Sequence, residues 1–179
     1  DTTAGGNYFY YQVTDSNGDI YFSGRHAGFD PGIWKYNSTA ELQTGWPKVS
    51  TGAGDGLYTG AAVDTLGFVY SAGYNSAGWL ISKHATSDGT VPTGFPITYN
   101  LGFGGKASHV AVDSENNFIV SGWLGVAGGS YDWHVRKYAS NGTLMWESSY
   151  DLKGNIEAAI DVAVDSEDNI IVIGYRNDG

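Results

Sequence analysis

The stretch SHVAVDSENNFIVSGW, from Ser108 to Trp123, has three relatives within the same chain: YYQVTDSNGDIYFSGR (Tyr10 to Arg25), TGAAVDTLGFVYSAGY (Thr59 to Tyr74) and IDVAVDSEDNIIVIGY (Ile160 to Tyr175). They align without gaps. An aspartate recurs at Asp15, Asp64, Asp113 and Asp165, and a glycine follows each by nine residues at Gly24, Gly73, Gly122 and Gly174. The aspartates are 49, 49 and 52 residues apart. Such a period marks a repeat architecture, in which each unit buries its apolar surface against its neighbours.

Each segment reads as a β-hairpin. Runs such as Val110-Ala111-Val112 and Phe118-Ile119-Val120 are strand-like and flank a turn. Three residues after each aspartate stand Gly18, Gly67, Asn116 and Asp168, the residue types that best tolerate a left-handed backbone. The aspartate can accept a bond from an N–H two residues on, and the Ser or Thr after it (Ser16, Thr65, Ser114, Ser166) suits a short loop around a type I turn. The glycine nine residues on predicts either positive φ or a close backbone approach.

A second hairpin follows in three of the four repeats. Its first strand ends in Lys35-Tyr36, Lys83-His84 or Lys137-Tyr138, and its second is expected to contain Trp46, Phe95 or Trp146. Two hairpins give four antiparallel strands in about 49 residues, the size of one propeller blade. The expected fold is therefore all-β, a β-propeller of four-stranded antiparallel blades. Ala61, Ala62, Ala111 and Ala163 suit a crowded innermost strand, and the bulky rings suit outer strands where blades splay. The expected division is a tail at 1–9, blades at 10–58, 59–107 and 108–159, and the first hairpin of a fourth blade at 160–179.

VAVDSENNFIVSGW and DWHVRKYASNGTLMWESSYD (Asp132 to Asp151) resemble the bacterial seven-bladed beta-propeller repeat family, and more loosely the NHL-type propellers. The resemblance covers nearly the whole chain. It implies a propeller of about seven blades in secreted or cell-surface proteins, and says little about chemistry. About three and a half blades leave apolar faces open, so the expected partners are other blades of a longer chain or copies of this one.

The chain has 179 residues, enough for a hydrophobic core, and 41% hydrophobic against 16% charged residues is not a disordered composition. A net charge of −10 argues against nucleic acid or anionic membranes as partners. No apolar run approaches the roughly 20 residues of a membrane helix, so membrane insertion is not expected. With no cysteine there is neither a disulfide nor a thiol nucleophile.

Catalytic signatures are lacking, and neither an enzyme activity nor a cofactor is expected. Asp15, Asn17 and Asp19 have the spacing that opens a calcium loop, but Ile20 and His26 stand where an EF-hand needs Gly and Glu, so a turn is the simpler reading. His26, His84, His109 and His134 lack zinc spacing, and His84 occupies the slot of Tyr36 and Tyr138. The strongest ligand candidates are Trp34, Trp79, Trp123 and Trp133, whose rings could stack on sugars; recurrence at repeat positions favours packing between blades instead. The expected role is an extracellular interaction scaffold or structural surface component, with a lectin-like carbohydrate binder second and a hydrolase or lyase a distant third.

Overall fold

The computed structural model describes residues 6–51, 54–100, 102–151 and 156–177. These residues form fourteen strands and no helix. The first sheet contains β1 (Tyr8–Thr14), β2 (Ile20–Arg25), β3 (Pro31–Tyr36) and β4 (Lys48–Val49). The second contains β5 (Leu57–Val63), β6 (Phe68–Asn75), β7 (Gly78–Ala85) and β8 (Ile97–Tyr99). The third contains β9 (Gly105–Val112), β10 (Phe118–Gly125), β11 (Tyr131–Tyr138) and β12 (Leu144–Tyr150). Within each, consecutive strands pair antiparallel. A last hairpin, β13 (Ile156–Val164) and β14 (Ile170–Asn177), joins the third sheet through one parallel bridge, Tyr131 to Ile156.

The aspartate turns form as their sequence predicts. Oδ1 of Asp113 accepts the N–H groups of Glu115 and Asn117 at 3.0 and 2.8 Å, and the other three aspartates do the same. Gly18, Gly67, Asn116 and Asp168 all have positive φ, between 62° and 85°. Oδ2 is satisfied in two ways. Tyr21 and Tyr70 donate their hydroxyls to Asp15 and Asp64, each at 3.1 Å. Where isoleucine replaces that tyrosine, at Ile119 and Ile171, the Nδ2 of Asn117 or Asn169 donates to Asp113 or Asp165 instead.

The glycine nine residues on is explained by close approach, not by positive φ. Each first strand carries a bulge, at Tyr10, Thr59, Ser108 and Ile160. Opposite it sit Gly24, Gly73, Gly122 and Gly174, and the carbonyl oxygens of Tyr8, Leu57, Lys106 and Ala158 occupy the places where their Cβ atoms would be. The expected boundaries at 9/10, 58/59, 107/108 and 159/160 therefore fall at the bulges, inside β1, β5, β9 and β13, and not between sheets. Tyr8 and Phe9 belong to β1; residues 1–5 of the expected tail, and 178–179 of the last hairpin, lie outside the described residues. Trp46 and Phe95 also lie outside the strands expected to hold them. Each precedes a proline across a cis bond, Pro47 or Pro96, which has no N–H for a ladder, and β4 and β8 begin just beyond.

Neighbouring sheets pack face to face. Tyr21, Ile33 and Trp46 of the first enclose Val69 of the second. Tyr70, Trp79 and Ile81 of the second meet Phe118, Val120, Leu124 and Tyr138 of the third. The first strands β1, β5, β9 and β13 run beside one another, whereas the backbones of β4, β8 and β12 lie chiefly beside their own sheet. Burial follows this order: β7 is buried on both faces, while β1 and β12 are exposed along nearly all their length.

Gly122→Ala puts a methyl group onto the Lys106 carbonyl, 2.8 Å from Ala107 Cα and 2.9 Å from the Trp79 ring. Overpacking against main chain should cost about 2–4 kcal/mol in chemical denaturation. A loss below about 0.5 kcal/mol would mean the bulge yields freely.

Candidate functional site

One repeat position breaks the pattern of the others. Four residues before each aspartate stand Tyr11, Gly60, His109 and Asp161, on the four first strands that run together. Gly60 leaves a gap that His109 fills: a Cβ there would lie 2.6 Å from the imidazole. Tyr11 crosses the gap, its ring edge-on to His109 at 4.3 Å between centroids. On the other side Nδ1 of His109 lies 2.8 Å from Oδ1 of Asp161 and 3.3 Å from the Val162 carbonyl. This contact assigns the proton of the neutral ring to Nδ1 and leaves Nε2 an acceptor, buried without a hydrogen-bond partner. Burial holds the imidazole below its ordinary pKa against the opposing pull of Asp161. Burial and then Asp161 raise the Tyr11 phenol. A carboxylate-oriented histidine has the makings of a base, but this Nε2 is enclosed, so the row serves first to tie β1, β9 and β13 together.

A second set of polar groups joins each sheet to the next, always in the same direction. Lys35 Nζ donates to the Thr86 carbonyl and Lys83 Nζ to the Ser140 carbonyl, both at 2.7 Å. Trp79 Nε1 donates to the Trp123 carbonyl at 3.0 Å, and Trp133 Nε1 to the Tyr175 carbonyl at 3.1 Å. The residue after the aspartate reaches the next turn: Thr65 donates through N and Oγ1 to Asn116 Oδ1, and Ser114 through N and Oγ to the Asp168 carboxylate. Between the first two sheets the acceptor position is Gly67, which has no side chain to offer Ser16, and a groove of about 490 Å³ opens there.

The sequence candidates are dispersed and mostly engaged. Trp34 and Trp79 are 2% and 0% exposed, which removes both rings as platforms for a sugar. Trp123 and Trp133 are half-buried, and Trp123 packs on Tyr131. The Asp15 carboxylate is taken up by Asn17, Asp19 and Tyr21, and Asp19 pairs with Lys35 at 2.8 Å. These contacts make a hairpin turn of the candidate calcium loop. Two groupings escaped the sequence reading. The Tyr11, His109, Asp161 row is visible only once the repeats are compared for what differs. The carboxylates of Asp132, Asp151 and Glu157, which come within 4.8 Å of one another, lie outside the aligned turns. Burial and then Asp151 raise the Asp132 carboxyl, and Arg176 stands 4.0 Å from Glu157.

No protein-family model matches this chain, and no curated protein matches its sequence. Among the described residues no helix is long and apolar enough to cross a membrane.

Three imidazoles sit between sheets with pKa values held down by burial: His84, where the Gly89 carbonyl opposes and Lys48 adds; His109; and His134, where Glu147 opposes and Arg136 adds. Below the ordinary value of 6.5 the unfolded chain binds more protons than the folded one, so stability is complete above that value and falls as pH drops through the window beneath it. Thermal unfolding midpoints should fall between about pH 7.5 and 5.5. His84→Tyr, which places there the residue of Tyr36 and Tyr138, should shallow the dependence. A flat profile would mean that these rings protonate freely in the folded chain.

Proposed function

We propose that the stacked sheets are blades of a β-propeller and that the protein is a non-catalytic interaction scaffold, completed by further blades of the same kind. One observation carries this reading. The lysine, tryptophan and turn-hydroxyl ties point from one sheet to the next, first strands lie together and last strands apart, and the faces at both ends of the stack are apolar and open. At one end Phe9, packed on Phe22, is 47% exposed; at the other Ile171, Ile173 and Tyr175 are 50–53% exposed. Interfaces that are head-to-tail continue until they close or are capped. The lysine, tryptophan and turn-hydroxyl donors are occupied in holding sheets to one another, which favours a scaffold over an enzyme. The burial of Trp34 and Trp79 leaves a lectin-like role with fewer candidate rings. A secreted or cell-surface setting rests on the family resemblance alone.

Light scattering coupled to size-exclusion chromatography tests the open faces. The 179-residue chain should show a mass above 19.1 kDa that rises with concentration, and should bind an apolar dye such as bis-ANS. A dye-silent monomer of 19.1 kDa at about 100 μM would sink the proposal, because faces of this kind do not stay bare in water.

A further inference from the structure

We infer that the groove between the first two aspartate turns is a binding site for a primary carboxamide, the side chain of an asparagine on a partner protein; this rests on the scaffold reading above, which makes the partner a protein. The groove, of about 490 Å³, lies between Asp15 and Ser16 of one turn and Asp64, Leu66 and Gly67 of the next. Pockets that take small ligands run from roughly 300 to 1,000 Å³.

The ligand chemistry is read from the two other pairs of turns. In each, the residue after one aspartate gives two donors to the residue three beyond the next aspartate. Thr65 donates through N and Oγ1 to Asn116 Oδ1 at 2.9 and 2.7 Å. Ser114 donates through N to Asp168 Oδ1 at 2.9 Å and through Oγ to Oδ2. Ser16 is the corresponding residue of the first turn. It is exposed, and among the described residues neither its N nor its Oγ meets a protein acceptor. The position that faces it is Gly67. With φ at 85°, Gly67 keeps the left-handed backbone of Asn116 and Asp168, at 63° and 62°. The turn is thus preserved, and only the acceptor side chain is gone.

The walls of the groove choose between the two acceptors. Where Asp168 serves, Lys137 pairs with Asp113 of the facing turn at 2.7 Å. In the first turn the corresponding Lys35 pairs with Asp19 at 2.8 Å, and Asp15 takes the Tyr21 hydroxyl instead. Asp15 and Asp64 both line the groove, in a chain of net charge −10. A carboxylate from outside would meet them as like charges. A carboxamide offers Ser16 the same carbonyl oxygen and turns two N–H donors to acidic walls. Asn116, an asparagine carried by a turn, is the template within this chain.

The probe is the peptide acetyl-Gly-Asn-Gly-N-methylamide, titrated into the full chain and followed by amide nitrogen–proton chemical shifts. The Ser16 resonance should move saturably, with a Kd at or below about 10 mM. The aspartate analogue should bind at least about fivefold more weakly, and the alanine analogue should not move Ser16. Gly67→Asn supplies the acceptor from the chain itself. Its Cβ would lie 3.5 Å from Thr86 Oγ1, an ordinary contact, and asparagine tolerates this backbone. That variant should shift the Ser16 resonance without peptide and lose peptide binding. No saturable shift at Ser16 by about 50 mM peptide would overturn the inference. So would equal binding of the alanine or aspartate analogue, or a Gly67→Asn chain that still binds. Free acetamide binding as tightly as the peptide would overturn the protein partner. The scaffold reading fails separately, on the mass and dye binding of the chain alone.

Discussion

Four main-chain carbonyls stand where four side chains would otherwise begin, and the stack depends on them. The bulges at Tyr10, Thr59, Ser108 and Ile160 press the oxygens of Tyr8, Leu57, Lys106 and Ala158, two residues before them, against Gly24, Gly73, Gly122 and Gly174. A bulge adds twist and bends its strand. Set at the same place in every first strand, it gives every sheet the same shape, and equal shapes can stack with the same contacts each time. The glycine is thus fixed by main-chain geometry before any core residue is chosen.

Two kinds of contact then divide the labour between sheets. Burying one large side chain is worth about 2–3 kcal/mol, and one neutral hydrogen bond about 1 kcal/mol net. Tyr21, Tyr70, Trp79, Phe118 and Tyr138 therefore supply most of the cohesion. The lysine, tryptophan and hydroxyl ties supply direction: a sheet inverted or shifted by one residue would bury their donors without acceptors, and a buried unmet donor costs more than a made bond returns.

The hairpins, their turns and the four-stranded grouping were legible because the residues that make them recur in register: an acid, a left-handed position, a glycine. The boundaries were less legible, since the alignment began at the bulge and a bulged residue has no composition of its own. Trp46 and Phe95 read as strand residues by ring size, while the prolines after them decided otherwise. The ties between sheets were hidden in residues already explained. Thr65 and Ser114 looked like turn formers, and their bonds to Asn116 and Asp168 span 51 and 54 residues. The Tyr11, His109, Asp161 row was hidden by the opposite cause, since a search for likeness passes over a position where every repeat differs.

The second oxygen of each turn aspartate has a donor from one of two places: a tyrosine hydroxyl six residues on, at Tyr21 and Tyr70, or an amide four residues on, at Asn117 and Asn169. The choice splits the repeats into two pairs that look alike by eye but are not interchangeable by halves. A recombination joining the turn of one pair to the strand of the other would aim both a tyrosine and an amide at one carboxylate oxygen, or neither of them. The tyrosine and the amide are thus alternative partners of one oxygen, and a hairpin built from matched halves carries one of the two.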